Sequence, residues 1–411
     1  MRLVIKKGRL RKIFSCFLAI AILYSYIFNP PFVFLPVGIS KIMYVLALPF
    51  FLVPVVRRKY ISNFSIVTLL LLLYIFYSLF IHIIYSSKAS YALINIFILF
   101  ESFFTAYIIA YYLVKYYKDK ADKMVLWTTI VASIITFVLI INPSLNVFVR
   151  DTLLVEAREG LQDVFAFRAF GIADDLLFTY SIALSVGLCL CMQYAQKQKK
   201  YYILVIFFLI GIFFNARIGM VPIAIYIMYL VFVEHKFSLL LKLLLVVVVA
   251  VVIFLCTNIS EGYMTTIEWI ADGFIEIFNL FSGEQGDKAS TFDYLSVMLI
   301  VPETLVGLLF GTGEDIFLGR YNSDIGYILQ LNYGGIVYIF FFMLIVFSLF
   351  RKLRLNNRAR NKWFNIVFIS TILICNIKGY FFYTCSGMRM LMLLFFVYIL
   401  SENMLYRKRI R

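Results

Sequence analysis

Residues 64–85 read FSIVTLLLLLYIFYSLFIHIIY, and they contain no Asp, Glu, Lys or Arg. An α-helix of this length covers about 33 Å, because each residue adds about 1.5 Å. That distance crosses the hydrocarbon core of a bilayer, which is about 30 Å thick. Backbone groups in lipid must find their hydrogen-bond partners within the segment. The stretch therefore predicts a transmembrane helix.

Similar stretches recur along the whole chain. Hydrophobic residues make up 63% of the sequence and the mean hydropathy is +0.94, whereas a soluble domain has about 45–50% apolar residues. We therefore expect an all-α, polytopic integral membrane protein with about 12 transmembrane helices. The predicted spans are Ile13–Phe28, Ile42–Val56, Phe64–Tyr85, Tyr91–Val114, Met124–Ile141, Asp175–Tyr194, Tyr201–Phe214, Ile218–Val233, Phe237–Cys256, Gly334–Phe350, Phe364–Ile377 and Cys385–Leu400.

The net charge of +16 comes from basic residues in short connectors between the apolar stretches. These connectors alternate with others that are poor in Lys and Arg, and the positive-inside rule places the basic ones in the cytoplasm. Both termini are then cytoplasmic, and the first apolar stretch is an uncleaved span. This arrangement argues against a nucleic-acid partner. The basic clusters lie at residues 2–12, 57–59, 115–123, 197–200, 351–362 and 407–411.

Two external connectors are long, at residues 142–174 and 257–333, and they carry most of the acidic residues. We expect the function to reside in these two loops. Within the second loop, Tyr263–Phe281 and Phe292–Phe310 mix apolar and acidic residues, which predicts segments that lie on or dip into the outer interface.

The sequence predicts no metal site and no cofactor. His82 and His235 have no second His or Cys at ligand spacing. A phosphate-binding loop of the form G-x-x-x-x-G-K-[ST] is absent from the sequence. Glu101 lies within an apolar stretch, where a charged side chain usually faces a partner or a water-filled cavity.

Several cations oppose the positive-inside pattern by lying on the predicted external side. They are Arg150, Arg158, Arg168, Arg217, Lys288, Arg320, Lys378 and Arg389. Their concentration at one face favours an anionic ligand, and the planar fork of arginine suits phosphate because it donates two parallel hydrogen bonds. The alternative is that some of them pair with the loop carboxylates.

The end of the second loop contains FGTGED at 310–315, NSDIGYI at 322–328 and LNYGG at 331–335. This series resembles the end of the large external loop of O-antigen and capsular polysaccharide polymerases, the Wzy group, which are related to O-antigen ligases. The segments FRAFG at 167–171 and ARIG at 216–219 resemble the arginine motifs of the same family. The ligases usually have a His near Ser323 or Asp324, so its absence favours a polymerase.

The resemblance implies a substrate, namely oligosaccharide repeat units on undecaprenyl diphosphate at the outer face of the bacterial cytoplasmic membrane. It implies polymerisation into O-antigen or capsule, with a flippase and a chain-length regulator as candidate partners. The pyrophosphate ligands implied are Arg168, Arg217, Arg320, Lys378 and Arg389. Asp324 is the implied catalytic residue, which orients or deprotonates the acceptor hydroxyl. The alternative is that Asp324 caps the helix that follows it.

Four further residues of these motifs have two readings each. Gly311, Gly313 and Gly326 shape the backbone or contact substrate. Tyr327 stacks on a sugar or lies at the membrane interface.

Two other functions stay open. One is a ligase, which moves the glycan to a different acceptor. The other is a flippase or transporter, for which about twelve spans are equally natural. A flippase needs polar residues through the bilayer, whereas here the polar residues gather in the two external loops and only Glu101 lies deep.

Overall fold

The computed structural model describes residues 7–35, 37–86, 90–150, 171–174, 178–238, 297–314, 323–356 and 362–410. In these ranges the regular elements are helices. The α-helices are α1 (Lys7–Phe28), α2 (Ile39–Phe51), α3 (Pro54–Tyr85), α4 (Ser90–Phe97), α5 (Ala106–Tyr117), α6 (Ala121–Ile141), α7 (Pro143–Phe148), α8 (Phe178–Ala195), α9 (Tyr202–Phe213), α10 (Met220–Phe232), α11 (Leu305–Phe310), α12 (Gly326–Asn356), α13 (Lys362–Lys378) and α14 (Ser386–Ile410).

Four helical stretches are long and apolar enough to cross a membrane, as judged by length and composition. They are Pro54–Tyr85, Leu93–Ile141, Phe178–Ala195 and Gly326–Leu355. Shorter apolar helices cover Ile13–Phe28, Ile39–Phe51 and Arg217–Val233. The all-helical fold and the apolar helices confirm the features expected of a helical membrane protein.

The helices coincide with the predicted spans, but some bounds differ. α12 begins at Gly326, within the predicted second loop and before the predicted start at Gly334, and the predicted span Ile42–Val56 is divided between α2 and α3. Each predicted span overlaps a helix except Phe237–Cys256, of which the structure describes only the first two residues. The stretch Leu93–Ile141 contains two predicted spans, and the chain turns between them at Lys118, whose φ is 54°. The total of about twelve membrane crossings stays a prediction.

The last helix lies at the centre of the protein. Every residue from Cys385 to Leu400 is buried, and α14 packs against α5 and α8, among others. A helix that is apolar on all sides is expected in the interior rather than at the periphery. The side chains of α3, by contrast, include strongly exposed ones such as Phe76 and Ile83, as expected of a helix that faces lipid.

Several hydrogen bonds connect residues that the charge pattern assigns to the same side of the membrane. On the predicted inner side, the Tyr194 hydroxyl donates to Asp122 Oδ1 at 2.8 Å, and Lys236 Nζ donates to Gln196 Oε1 at 2.7 Å. On the other side, the backbone N–H of Asp174 donates to the Phe28 carbonyl at the end of α1, at 3.0 Å. We call this second side outer; its orientation in a cell stays a prediction.

The deep carboxyl residue lies in an irregular element. Residues Ile98–Thr105, between α4 and α5, form a π-helix, and Glu101 is buried in it. The Tyr26 hydroxyl of α1 donates to the Glu101 carbonyl at 3.0 Å. π-Helical turns inside α-helices are rare and occur often at functional sites.

Candidate functional site

Asp324 and Lys378 lie against each other at the outer side. Asp324 precedes α12 by two residues, and Lys378 is the last residue of α13. The Lys378 Nζ is 2.7 Å from Asp324 Oδ2. The two side chains remain 41% and 56% exposed, respectively. The residue predicted to act as base and one predicted to bind phosphate are therefore in direct contact and open to solvent.

A close crossing of the two helices fixes this pair. A Cβ atom on Gly326 would lie 2.5 Å from the carbonyl oxygens of Asn376 and Gly379, so only glycine allows α12 to start so near the end of α13. The Tyr327 hydroxyl donates to the Leu373 carbonyl at 2.8 Å. Gly326 thus sets the distance between the helices, and Tyr327 bonds to the neighbouring helix through its hydroxyl.

A buried pair of side-chain amides stabilises the crossing of α12 and α13. Asn376 Nδ2 donates to Gln330 Oε1 at 2.9 Å, and both residues are fully buried. Asn376 Oδ1 accepts from the Phe381 N–H at 3.1 Å, which ties the connection between α13 and α14 to the same point. Buried polar groups that are hydrogen-bonded hold one geometry, because any other arrangement would leave them without partners.

Tyr380 lies in this connection and is buried. Burial raises the pKa of its phenol well above the ordinary value. Its hydroxyl is 3.4 Å from the Tyr74 hydroxyl of α3. The phenol therefore stays protonated near neutral pH.

The two glycines of the G-x-G turn lie beside a break in α12. The helix is interrupted at Gly335, whose φ is 69° and ψ is −170°. A break leaves carbonyl groups without their helical partners. Here the N–H groups of Thr312 and Gly313 donate to the Asn332 and Tyr333 carbonyls at 2.8 and 3.1 Å.

These contacts explain why the turn contains glycine at both positions. Gly311 and Gly313 have φ values of 84° and 73°, a region that other residues rarely adopt. A Cβ on Gly311 would also lie 2.3 Å from the Tyr333 carbonyl oxygen. Both glycines therefore shape the backbone next to the half of α12 that follows Asp324.

Arg389 lies in the first turn of α14, and its side chain is only 1% exposed. Its Nη2 is 3.0 and 3.3 Å from the two carboxylate oxygens of Asp174. Its Nη1 donates to the carbonyls of Tyr26 and Ile27 at the end of α1, at 3.3 and 3.2 Å. The guanidinium thus neutralises a carboxylate and caps a helix C-terminus, where a cation is favourable.

Asn29 completes this buried cluster. It follows α1 with a φ of 43°, a conformation in which Asn is common after a helix end. Its side-chain amide donates to Asp174 Oδ2, and its Oδ1 accepts from the Ser40 N–H at the start of α2. The contacts of Arg389 are therefore those of a helix-end cluster, and its role as a pyrophosphate ligand stays a prediction.

Arg217 begins a short 3₁₀ helix, Arg217–Gly219, that leads into α10. Gly219 lies so close to α8 that a Cβ would be 2.6 Å from Ser181 Cβ. α10 packs against α13. The Tyr226 ring, in the second half of the apolar helix Arg217–Val233, is 5.3 Å from the Trp363 ring at the start of α13, so the two helices run antiparallel. Arg217 and Lys378 consequently lie at the same end of two packed helices.

Two other predicted pyrophosphate ligands, Arg168 and Arg320, lie outside the described residues, as does Lys288. Among the described candidates, the structure brings together Asp324, Lys378, Tyr327 and Gly326 at one helix crossing. Gly311 and Gly313 lie at the other end of the same part of α12, before its break at Gly335. Arg389 belongs to a separate, buried cluster.

Sequence reasoning assigned no role to Asp174, Asn29 or Asn376. Only Asn29 had a usable signal, since it directly follows an apolar stretch and precedes Pro30-Pro31, as expected after the end of a helix. Asp174 and Asn376 meet their partners across long sequence separations, which no local pattern reveals.

We compared the chain with known proteins. No protein-family model matches it, and no curated protein or solved structure matches it either. The fold is that of a helical membrane protein, with a charged pair at one helix crossing.

Proposed function

We propose that the protein is a membrane glycosyltransferase that polymerises oligosaccharide repeat units carried on undecaprenyl diphosphate into surface polysaccharide. The proposal begins from the motifs that resemble the Wzy polymerases. One observation carries it further: Asp324 and Lys378, chosen from the sequence for complementary roles, lie 2.7 Å apart at the outer end of the helices. By the predicted topology, this side is the one that carries the two long external connectors.

The chemistry needs little beyond positioning and charge. A glycosyl diphosphate carries its own leaving group, so the site must neutralise the diphosphate and place an acceptor hydroxyl next to the anomeric carbon. Lys378, Arg217 and Arg168 supply the positive charge, with Arg320 as a further ligand.

The Lys378–Asp324 contact then acts as the resting state. An arriving diphosphate attracts the Lys378 ammonium away from Asp324, because it offers more negative charge than one carboxylate. Asp324 is then free to accept the proton of the acceptor hydroxyl. The acceptor oxygen bonds to the anomeric carbon as the bond to the diphosphate oxygen breaks, and the lipid diphosphate leaves with the electron pair.

The proposal is tested by the length distribution of surface polysaccharide from a deletion strain that carries one variant at a time. We expect deletion to leave a single repeat unit on the surface. Asp324→Asn should reproduce that result at normal protein level, because loss of a general base lowers the rate by about 100-fold or more. Arg217→Ala should shorten the polymer as well.

The matched control is Glu303→Gln, which removes an exposed carboxylate from the same external loop and should leave polymer length unchanged. Two results would contradict a polymerase. Loss of all surface glycan on deletion would indicate a flippase, and accumulation of long polymer on its lipid carrier would indicate a ligase.

A further inference from the structure

The segment at residues 297–311 turns its backbone toward the protein and its apolar side chains outward. Leu305 is 72% exposed and Val306 is 62% exposed. Val297, Leu299, Val301 and Phe310 are exposed too. So many exposed apolar residues within fifteen positions are uncommon on a surface that faces water.

Carbonyl groups of the segment are satisfied by protein donors rather than left to solvent. At the end of α11, the Gly311 N–H donates to the Gly307 carbonyl at 2.7 Å. Three more carbonyls, of Met298, Ile300 and Phe310, accept from the side chains of Ser323, Asn332 and Tyr77 at 3.2, 2.8 and 3.2 Å. Non-helical backbone is tolerated at membrane depth only where it is buried in protein or lines a water-filled cavity, and these bonds bury the backbone of the segment against the protein.

The partners of the segment lie progressively farther along α12. The Met298 carbonyl accepts a hydrogen bond from Ser323, just before the outer end of the helix, and the Ile300 carbonyl accepts one from Asn332. A Cβ on Gly335 would lie 2.3 Å from the Leu309 carbonyl oxygen. The chain therefore descends along α12 from its outer end to its break.

The chain then climbs back along α3. The Phe310 carbonyl accepts a hydrogen bond from the Tyr77 hydroxyl, whereas Gly313 packs on Tyr85, the last residue of α3. The segment thus enters and leaves on the same side, which is the path of a re-entrant element.

The depth of its lowest point follows from the charged residues at the opposite ends of the helices. Gly335 is 16 residues from Arg351 along α12, which is about 24 Å of helix. Tyr77 is 18 residues from Lys59 along α3, which is about 27 Å. Since the hydrocarbon core is about 30 Å thick, both distances place α11 just inside its outer boundary.

We propose that residues 297–311 form a shallow re-entrant element whose apolar side chains contact lipid acyl chains at the outer boundary of the bilayer. The occupant is lipid because the patch continues the lipid-facing surface of the helices beside it, where Phe80 of α3 and Phe340 of α12 are exposed. Exposed Glu303 next to α11 agrees with a shallow position, since its carboxylate then reaches the headgroup region. The inference goes beyond the proposed enzyme activity and does not rest on it.

Spin labels on single introduced cysteines test the depth in protein reconstituted into phosphatidylglycerol-containing vesicles. The test positions are Leu305→Cys and Val306→Cys. Phe340→Cys is the control within the lipid-facing surface, and Ser144→Cys, exposed on α7, is the control for water. The described natural cysteines are buried or, for Cys16, half-buried, and the signal of the labelled parent protein is subtracted.

We expect both test labels to collide with oxygen more often than with a water-soluble nickel complex, as at Phe340 and opposite to Ser144. Two results would overturn the proposal. Collision with nickel as frequent as at Ser144 would place the segment in water, and low collision with both reagents would mean that protein covers it. Leu299→Cys gives a third reading if either test variant is absent from the membrane.

Discussion

Two pairs of opposite charge lie at the outer side of the molecule. The distances within the two pairs are similar, but the pairs differ in burial and in the groups around them. Arg389 and Asp174 are 3.0 Å apart, with the guanidinium 1% exposed and surrounded by carbonyl groups. Lys378 and Asp324 are 2.7 Å apart, and their side chains are 41% and 56% exposed, respectively. The first pair joins α1, α14 and the end of the first external loop, whereas the second joins only the ends of α12 and α13.

The difference distinguishes charges that stabilise the fold from charges that a ligand could bind. A buried charge without a partner is very unfavourable, so each member of the Arg389–Asp174 pair requires the other. An exposed pair contributes about 0–1 kcal/mol, so water or a ligand can replace either partner at little cost. Of the two cations, Lys378 is therefore the one that a diphosphate can recruit without disturbing the fold.

The largest effect is expected from Arg389→Met. The variant leaves the Asp174 carboxylate and the α1 carbonyls without their cation, and such a change typically lowers the free energy of unfolding by about 3–5 kcal/mol. Thermal unfolding of the purified protein in detergent, together with its level in membranes, measures the loss.

The double variant Arg389→Met with Asp174→Asn is the matching control. Because it removes both charges, we expect it to recover part of the stability that Arg389→Met loses. Equal instability of the single and double variants would mean that the two charges are not coupled.

A smaller effect is expected from Gly326→Ala, which acts on the other pair through its backbone. The added methyl would meet the carbonyl oxygens of Asn376 and Gly379 at 2.5 Å. Forcing extra volume into a packed contact costs about 1–3 kcal/mol, and it should separate Asp324 from Lys378. We expect short polymer in the deletion strain with only moderate loss of thermal stability.

Gly387→Ala is the comparison for this variant, because a Cβ there would meet side chains rather than backbone, namely the Phe381 ring at 3.0 Å and the Ile182 Cγ2 at 3.2 Å. A side chain of this kind moves more easily than two backbone carbonyls. Normal polymer from Gly326→Ala would show that the helix crossing does not set the geometry of the site.

The sequence predicted the helical class well because hydropathy is a local property. Residues 64–85 are helical as expected, and the helix extends back to Pro54, where proline suits the first turn. Hydropathy could not reveal that α14 is the central helix, since an apolar stretch facing protein and one facing lipid have the same composition. The burial of Arg389 depends on that position.

The site was predictable only in part, for a related reason. The G-x-G turn and Gly326 were visible as motifs, but their neighbours come from distant parts of the chain, as when Gly311 meets Tyr333 and Gly326 meets Gly379. The contact between Asp324 and Lys378 spans 54 positions. No periodic pattern encodes such a contact, because it follows from how two helices cross rather than from either helix alone.

The smallest effect on stability, and the sharpest test of the comparison, is expected from Lys378→Met. An exposed ion pair contributes at most about 1 kcal/mol, so the unfolding temperature should stay close to that of the parent protein. Polymer length should nevertheless fall, because the proposed site loses one of the cations assigned to the diphosphate, and Lys378→Arg should restore much of it by keeping the charge. A drop in stability as large as that of Arg389→Met would show that exposure does not distinguish the two pairs, and the assignment of Lys378 to the ligand would lose its physical basis.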